Sequence, residues 1–148
     1  MRIVTVSRQF GSMGRVFGKK LAEELGFKYY DKQIISEISK RADLDENYVA
    51  RTLEKGIDVY PMQCGVTFSL PRYNKQIMDV IVAQCEIIKQ LAQKGDCVIV
   101  GRSADAILAE YNPFNVFVYA DMKTRVARCK EREKSSSPLS DRETERLI

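Results

Sequence analysis

A glycine-containing stretch near the start of the chain has the residue types of a phosphate-binding loop. The segment SRQFGSMGRVFGKK, residues 7–20, follows the apolar Ile3, Val4 and Val6 and leads into a helical pattern. Glycines in such a turn let backbone N–H groups point at an anion, and the N-terminus of the next helix adds partial positive charge. The stretch therefore predicts either a phosphate site or a tight glycine turn that binds nothing.

The stretch matches the P-loop pattern G-x-x-x-x-G-K-[ST] only in part. With Gly18-Lys19 as the G-K pair, the loop lies too far from the preceding strand. With Gly14-Arg15 as that pair, the loop lies at the right distance and Gln9 takes the place of the first glycine. We therefore adopt the Gly14-Arg15 alignment.

In this alignment two residues change the chemistry of the pattern. Arg15 keeps the positive charge of the lysine but replaces a compact ammonium with a planar guanidinium. Val16 stands where a Ser or Thr would hold magnesium. If a metal ion binds, Ser12 or a carboxylate must take that role.

The composition restricts the chemistry further. The 148 residues fit one domain and include no histidine, which excludes His-based triads and most zinc sites. The four cysteines form no C-x-x-C pair, and the net charge of +4 comes without a basic stripe interleaved with aromatic residues. Nucleic acid is therefore not an expected partner.

No apolar run is long enough to cross a membrane and no signal segment precedes the first strand, so we expect a cytoplasmic protein.

Short apolar strands alternate with helical patterns along the chain. We predict strands over residues 2–7, 27–30, 97–100 and 116–119, and helices over residues 14–25, 32–41, 45–54, 73–94, 103–109 and 122–134. The fully apolar Cys97–Val100 is typical of a strand buried in a parallel sheet. The pattern predicts an α/β fold with helices on both faces of a parallel sheet. Ligands of such folds bind beyond the carboxyl ends of the strands.

Four segments taken in order resemble the cytidylate kinase-like family of P-loop proteins: SRQFGSMGR, GFKYYDKQII, LAQKGDCVIVGRSADAIL and VFVYADMKTRVARCKERE. The resemblance implies one P-loop kinase-like domain over residues 1–148, with a P-loop NTPase-type parallel sheet flanked by helices. It divides the chain into a core (residues 1–31 and 95–134), a helical monophosphate-binding insert (residues 32–94) and a partial lid (residues 135–148). The family pattern continues into another helix and a fifth strand, so the C-terminal edge strand is expected to be missing.

The resemblance also suggests roles for individual residues. It implies a triphosphate cradle formed by Gly11, Ser12, Met13, Gly14 and Arg15. Asp31 resembles the acidic residue that opens the monophosphate region, and Arg102 resembles the arginine beside the acceptor nucleotide. Arg125 and Arg128 resemble the arginines that flank the lid. Arg15, Arg102 and Arg128 are the expected catalytic residues. Two positions depart from the family pattern: Met13 replaces a common third glycine, and Ser103 replaces the aspartate that normally follows Arg102.

Two further residues could contact the substrate. Arg72 stands where the insert rejoins the core and could touch the acceptor phosphate, or could be a solvated loop residue. Asp105 could bind substrate or magnesium, or be a surface residue in the first turn of a helix.

The expected function is ATP-dependent phosphoryl transfer to a nucleoside monophosphate, with CMP as the first candidate and Mg²⁺ accompanying ATP. Two alternatives stay open: a P-loop kinase for another small acceptor, and a nucleotide-binding or regulatory module without catalysis. The expected partners are small-molecule nucleotides and not a membrane, and a homo-oligomer remains open.

Overall fold

The computed structural model describes residues 1–55 and 75–133. These residues form alternating strands and helices, as the sequence pattern predicts. In chain order they are β1 (Ile3–Arg8), α1 (Gly14–Leu25), β2 (Lys28–Tyr30), α2 (Gln33–Ala42), α3 (Glu46–Lys55), α4 (Lys75–Gln93), β3 (Cys97–Val100), α5 (Ala104–Ile107), a 3₁₀ turn (Ala109–Tyr111), β4 (Phe114–Val118) and α6 (Met122–Glu133).

The strands form one parallel sheet in the order β2-β3-β1-β4. Val6 of β1 is paired with Val100 of β3 on one side and Val116 of β4 on the other. Because each connection between strands runs through at least one helix, every strand enters the sheet in the same direction. The predicted α/β fold with a parallel sheet is confirmed, and the carboxyl ends of its strands meet at one edge.

The described residues divide into two compact units. The first contains residues 1–31 and residues 92 onwards, and therefore holds the whole sheet. Its core joins β1, β3 and α1 through buried apolar side chains: Val4, Val6, Ala22, Val98 and Val100. Cys97 belongs to this buried layer, and burial raises the pKa of its thiol to about 11. This cysteine is therefore a packing residue that stays protonated at neutral pH.

The described residues of the second unit, 32–55 and 75–91, are mainly helical. Its buried side chains recur at helical spacing along α2, α3 and α4, including Ile34, Ile38, Val49, Val80, Ile87 and Ile88. On the surface, Arg41 of α2 forms an ion pair with Glu86 and a 3.4 Å hydrogen bond to Gln90, both on α4. The hydrophobic pattern of the sequence thus predicted the helices of this region.

The predicted ends of some elements shift. β4 begins at Phe114 rather than at residue 116, and a 3₁₀ turn takes the end of the helix predicted over residues 103–109. The predicted lid, residues 135–148, and Arg72 lie outside the described residues. In the part of the chain that the structure describes, no helix combines the length and the hydropathy needed to span a membrane.

Gly18 allows α1 to approach the sheet closely, which gives a first test. A Cβ at this position would lie 2.6 Å from Cγ2 of Val100. We expect Gly18→Ala to destabilise the protein, since overpacking costs about 1–3 kcal/mol and the better helix propensity of alanine returns about 1 kcal/mol at most. Urea denaturation measures the change.

The matched control is Glu24→Ala on the exposed face of the same helix, which should change the free energy of unfolding by less than about 0.5 kcal/mol. A Gly18→Ala protein as stable as the wild type would contradict the close contact between α1 and β3.

Candidate functional site

The loop between β1 and α1, residues 9–13, ends at an uncapped helix terminus. Met13, the residue before α1, lies in the left-handed region with φ 67° and makes no side-chain capping hydrogen bond. The first turn of α1 carries no acidic side chain. The first N–H groups of an α-helix have no acceptor within the helix, and the helix dipole makes this end partly positive. The start of α1 is therefore suited to bind an anion.

Neighbouring elements hold the β1–α1 loop from outside. The Ser12 hydroxyl lies 2.8 Å from the carbonyl oxygen of Gln9 and 3.0 Å from that of Val118 in β4, and its single hydrogen serves both. The N–H of Gln9 also donates to the Val118 oxygen, at 3.0 Å. From α6, Nε of Arg125 donates to the carbonyl oxygen of Phe10 at 2.8 Å. These bonds connect the loop to β4 and α6.

Two residues with sequence-based roles make contacts that the sequence did not indicate. Arg125, expected to flank a lid, is 6% exposed and holds the loop through Phe10. Ser12, proposed as a metal ligand, is 5% exposed and its hydroxyl faces the Gln9 and Val118 carbonyls. Its metal role stays a prediction that this orientation does not support. Within residues 1–55 and 75–133, no cluster of three or more Cys, Asp or Glu side chains could hold a metal ion.

An ion pair joins the start of α1 to the end of β2. Nε of Arg15 lies 3.0 Å from Oδ2 of Asp31, and the Asp31 side chain is only 8% exposed. The contact is electrostatic and not an aligned hydrogen bond. Arg15 Nε and Asp31 Oδ1 thus remain without hydrogen-bond partners among the described residues. Buried polar atoms are nearly always bonded, so these two atoms are candidate contacts for a ligand.

Tyr29 lies beside this ion pair. Its hydroxyl is 3.5 Å from Asp31 Oδ2 and 3.5 Å from the carbonyl oxygen of Arg15. Burial, followed by the Asp31 charge, raises the pKa of Tyr29, while the charges of Arg15 and Arg8 oppose the shift. Tyr29 is therefore a neutral hydrogen-bond donor at physiological pH.

Arg8 belongs to this site although sequence reasoning gave it no role. It is the last residue of β1, and its side chain runs past two glycines. A Cβ on Gly14 would lie 2.5 Å from Cβ of Arg8, and a Cβ on Gly101 would lie 2.1 Å from Nη1 of Arg8. The guanidinium thus lies over the residue that follows β3. A cation at the end of a central strand, directly before a glycine loop, is the signal in the sequence that could have identified it.

The backbone after β3 is unusual. Gly101, Arg102 and Ser103 have φ values of 72°, 61° and 53°, so three successive residues are left-handed. For a residue with a side chain this conformation costs about 1–2 kcal/mol, and such strain is concentrated at functional sites. The strained turn holds the half-buried Arg102 at the carboxyl end of β3, where the sequence prediction placed it.

The first unit thus brings most of the predicted site residues to one edge of the sheet. The β1–α1 loop with Arg15, Asp31 and Arg102 follow β1, β2 and β3 respectively. Asp105 is half-buried in the first turn of α5. Arg128 is half-buried on α6, three residues after Arg125. The catalytic and binding roles of these residues remain predictions.

The conformation of Met13 gives a second test. Glycine tolerates φ 67° without the Cβ penalty, and the Met13 side chain is 46% exposed, so little packing is lost by removing it. We expect Met13→Gly to leave the free energy of unfolding unchanged or to raise it by up to about 1 kcal/mol, measured by urea denaturation. Met13→Ala keeps the strain and serves as the control. A glycine variant less stable than the alanine variant would show that the left-handed turn is not strained.

The start of α6 gives a third test, which depends on pH. Asp121 accepts hydrogen bonds from Oγ1 of Thr124 at 2.6 Å and from its N–H at 2.9 Å, and these bonds lower the pKa of Asp121 below its ordinary value of 3.8. Asp121 therefore stabilises the fold above pH 3.8, and its contribution is lost as the pH falls through the lowered pKa.

Asp121→Ala should be less stable than the wild type at pH 7, and the difference should shrink in acid, as followed by urea denaturation between pH 7 and pH 2.5. Thr124→Val, which keeps the N–H but removes the hydroxyl, should give a smaller loss. If the difference in stability between Asp121→Ala and the wild type does not change with pH, the hydrogen bonds from Thr124 to the Asp121 carboxylate do not stabilise the fold.

Comparison with known proteins places the chain in a family. A family model described as the cytidylate kinase-like family matches residues 3–148. A solved structure that matches is an uncharacterized protein from Eubacterium ventriosum ATCC 27560, with 22% identity and a TM-score of 0.64 over 100% of this chain and 69% of that chain. At this identity the likeness supports the fold alone. No curated protein matches. The family match spans nearly the whole chain, including the β1–α1 loop, the Asp31 region and the turn at Arg102, and this chain therefore belongs to the cytidylate kinase-like family.

Proposed function

We propose that this chain transfers a phosphoryl group from ATP to a nucleoside monophosphate, with CMP as the first acceptor to test. The observation that supports this most directly is the site at the carboxyl edge of the sheet. There, α1 starts without a side-chain cap, and the ion-paired Arg15 and Asp31 each keep a buried polar atom that has no hydrogen-bond partner among the described residues.

The arrangement suits the demands of phosphoryl transfer. This reaction needs little covalent participation from the protein and depends on positioning and on positive charge around the transferred group. In our proposal the N–H groups at the start of α1 bind phosphate oxygens of the donor. Arg102, held by its strained turn, and Arg128 supply charge. The absence of histidine from the sequence is no obstacle to this chemistry.

Magnesium enters as part of the ATP complex. A magnesium ion in a kinase site keeps several water ligands and is held largely by substrate phosphates and one or two carboxylates. When bound, the ion neutralises phosphate charge. The Ser12 hydroxyl faces backbone carbonyls, so in our proposal the substrate phosphates and water hold the ion.

Asp31 also supports a phosphoryl acceptor that carries hydrogen-bond donors. A buried carboxylate oxygen without a donor carries a free-energy cost that a ligand can remove by donating a hydrogen bond. Ribose hydroxyls and the exocyclic amine of cytosine are such donors, and both occur in CMP. Asp31 Oδ1 therefore favours a nucleoside monophosphate over an acceptor that offers only phosphate oxygens.

A second candidate, a nucleotide-binding module without catalysis, is favoured by specific residues. Val16 occupies the position of the metal-binding Ser or Thr of a P-loop and is 45% exposed on α1. Met13 places a side chain where the family commonly has glycine, and the hydroxyl of Ser12 faces β4. In this candidate the loop still binds nucleotide.

Two measurements separate these functions. A thermal-shift screen of ATP, GTP, CTP and CMP with and without Mg²⁺ tests binding, because a ligand that binds only the folded state raises the melting temperature. A coupled ADP assay with CMP, other nucleoside monophosphates and small hydroxyl acceptors then tests turnover. Saturable, CMP-dependent ADP formation is the expected result.

Arg102→Ala should lower kcat by about 100-fold or more, because the variant keeps the left-handed backbone but removes the charge. The matched control is Arg2→Ala at the opposite end of β1, where Arg2 pairs with Asp96 at 2.6 Å, and kcat should be unchanged. Binding without turnover of any acceptor supports the second candidate, and the absence of protection by every nucleotide rejects both.

A further inference from the structure

We propose that the guanidinium of Arg8, rather than that of Arg15, is the principal cation that binds a phosphate group at this site. This inference rests on the proposed function for the identity of the phosphate ligand. The anion site itself is inferred from the position and charge of Arg8.

The position of Arg8 depends on two close contacts with glycine backbone. The aliphatic stem of Arg8 lies against Gly14, the first residue of α1, and the guanidinium lies over Gly101 after β3. A Cβ at Gly101 would come 2.1 Å from Nη1 and 2.9 Å from Cζ of Arg8. A side chain at either glycine would clash with Arg8 in this conformation. The two glycines therefore allow the guanidinium to lie between the start of α1 and the end of β3.

The charges around the site distinguish Arg8 from Arg15. Arg15 is neutralised by the buried carboxylate of Asp31 at 3.0 Å. Arg8 is half-buried, and within residues 1–55 and 75–133 its guanidinium makes no hydrogen bond or ion pair. Both arginines act electrostatically on the Tyr29 hydroxyl, so they belong to one local field. The uncompensated charge in this field is that of Arg8.

A half-buried guanidinium without a counter-ion favours an anion as its ligand. Its planar set of N–H donors matches two oxygens of a phosphate group. The N-terminus of α1, next to the stem of Arg8, lacks both a cap and an acidic residue in its first turn, so it favours the same anion. Binding there leaves the Arg15–Asp31 pair intact, whereas a phosphate bound by Arg15 must compete with Asp31.

The test measures affinity rather than turnover. Dissociation constants for ATP and for inorganic tripolyphosphate are measured by isothermal titration calorimetry at low salt. The proteins compared are the wild type, Arg8→Gln, Arg8→Lys, the double variant Arg15→Gln/Asp31→Asn, and the control Arg2→Gln. The double variant removes the ion pair without leaving Asp31 charged and unpaired near the ligand. The melting temperature of each apoprotein shows that it is folded.

We expect Arg8→Gln to weaken tripolyphosphate and ATP binding by about tenfold or more, and by more than the double variant does. Arg8→Lys should bind more weakly than the wild type but more tightly than Arg8→Gln, because it keeps a charge without the planar donors. Arg2→Gln should match the wild type.

Wild-type affinity in Arg8→Gln, or a larger loss in the double variant, overturns the inference. If Arg8→Gln does not fold, Arg8→Lys decides, and wild-type affinity there overturns it. Wild-type protein that binds neither ligand also overturns it. Arg8-dependent binding of tripolyphosphate without binding of any nucleotide supports the Arg8 site and refutes the proposed function.

Discussion

The site depends on a β1–α1 loop that is held in shape by neighbouring parts of the sheet unit. Ser12 and Gln9 bond to the Val118 carbonyl of β4, and Arg125 of α6 bonds to the Phe10 carbonyl. These bonds connect the loop, and with it the start of α1, to β4 and α6. A site held in this way suits electrostatic stabilisation of an anion, which is most effective when the donors are already in place.

Around this fixed loop, the charges divide into a compensated pair and an uncompensated cation. The Asp31 side chain is 8% exposed, and one of its oxygens lies 3.0 Å from Nε of Arg15. The negative charge of Asp31 is therefore compensated by the positive charge of Arg15. Arg8 lies over Gly101 without a carboxylate partner among the described residues. In our proposal the Arg8 guanidinium attracts a phosphate group, and the unpartnered Asp31 oxygen accepts from a hydrogen-bond donor of the ligand. Both features are consistent with a site for phosphorylated ligands that carry hydroxyl or amino groups.

The chain belongs to the cytidylate kinase-like family, and its sheet has the strand order β2-β3-β1-β4. The departures from a standard P-loop are confined to a few positions, of which Met13, Arg15 and Val16 are the clearest. Met13 is left-handed at φ 67° but half-exposed, so its cost is mainly conformational. In our proposal Arg8, rather than Arg15, provides the positive charge for the phosphate group.

The sequence by itself determined the strands, the helices and the sheet type. The apolar runs of β1 and β3 and the helical spacing of α1 are local patterns, and burial of those patterns fixes a parallel sheet with helices on its faces. The sequence also brought Asp31 and Arg102 to the carboxyl edge, because each directly follows a strand or its terminal glycine. The tertiary structure decided what each polar side chain contacts: Ser12 with Val118, Arg125 with Phe10, Arg15 with Asp31, and Arg8 with the space over Gly101. These partners come from different elements, and the first two pairs are 106 and 115 residues apart, so no periodicity along the chain encodes them and only the packed sheet sets their distances.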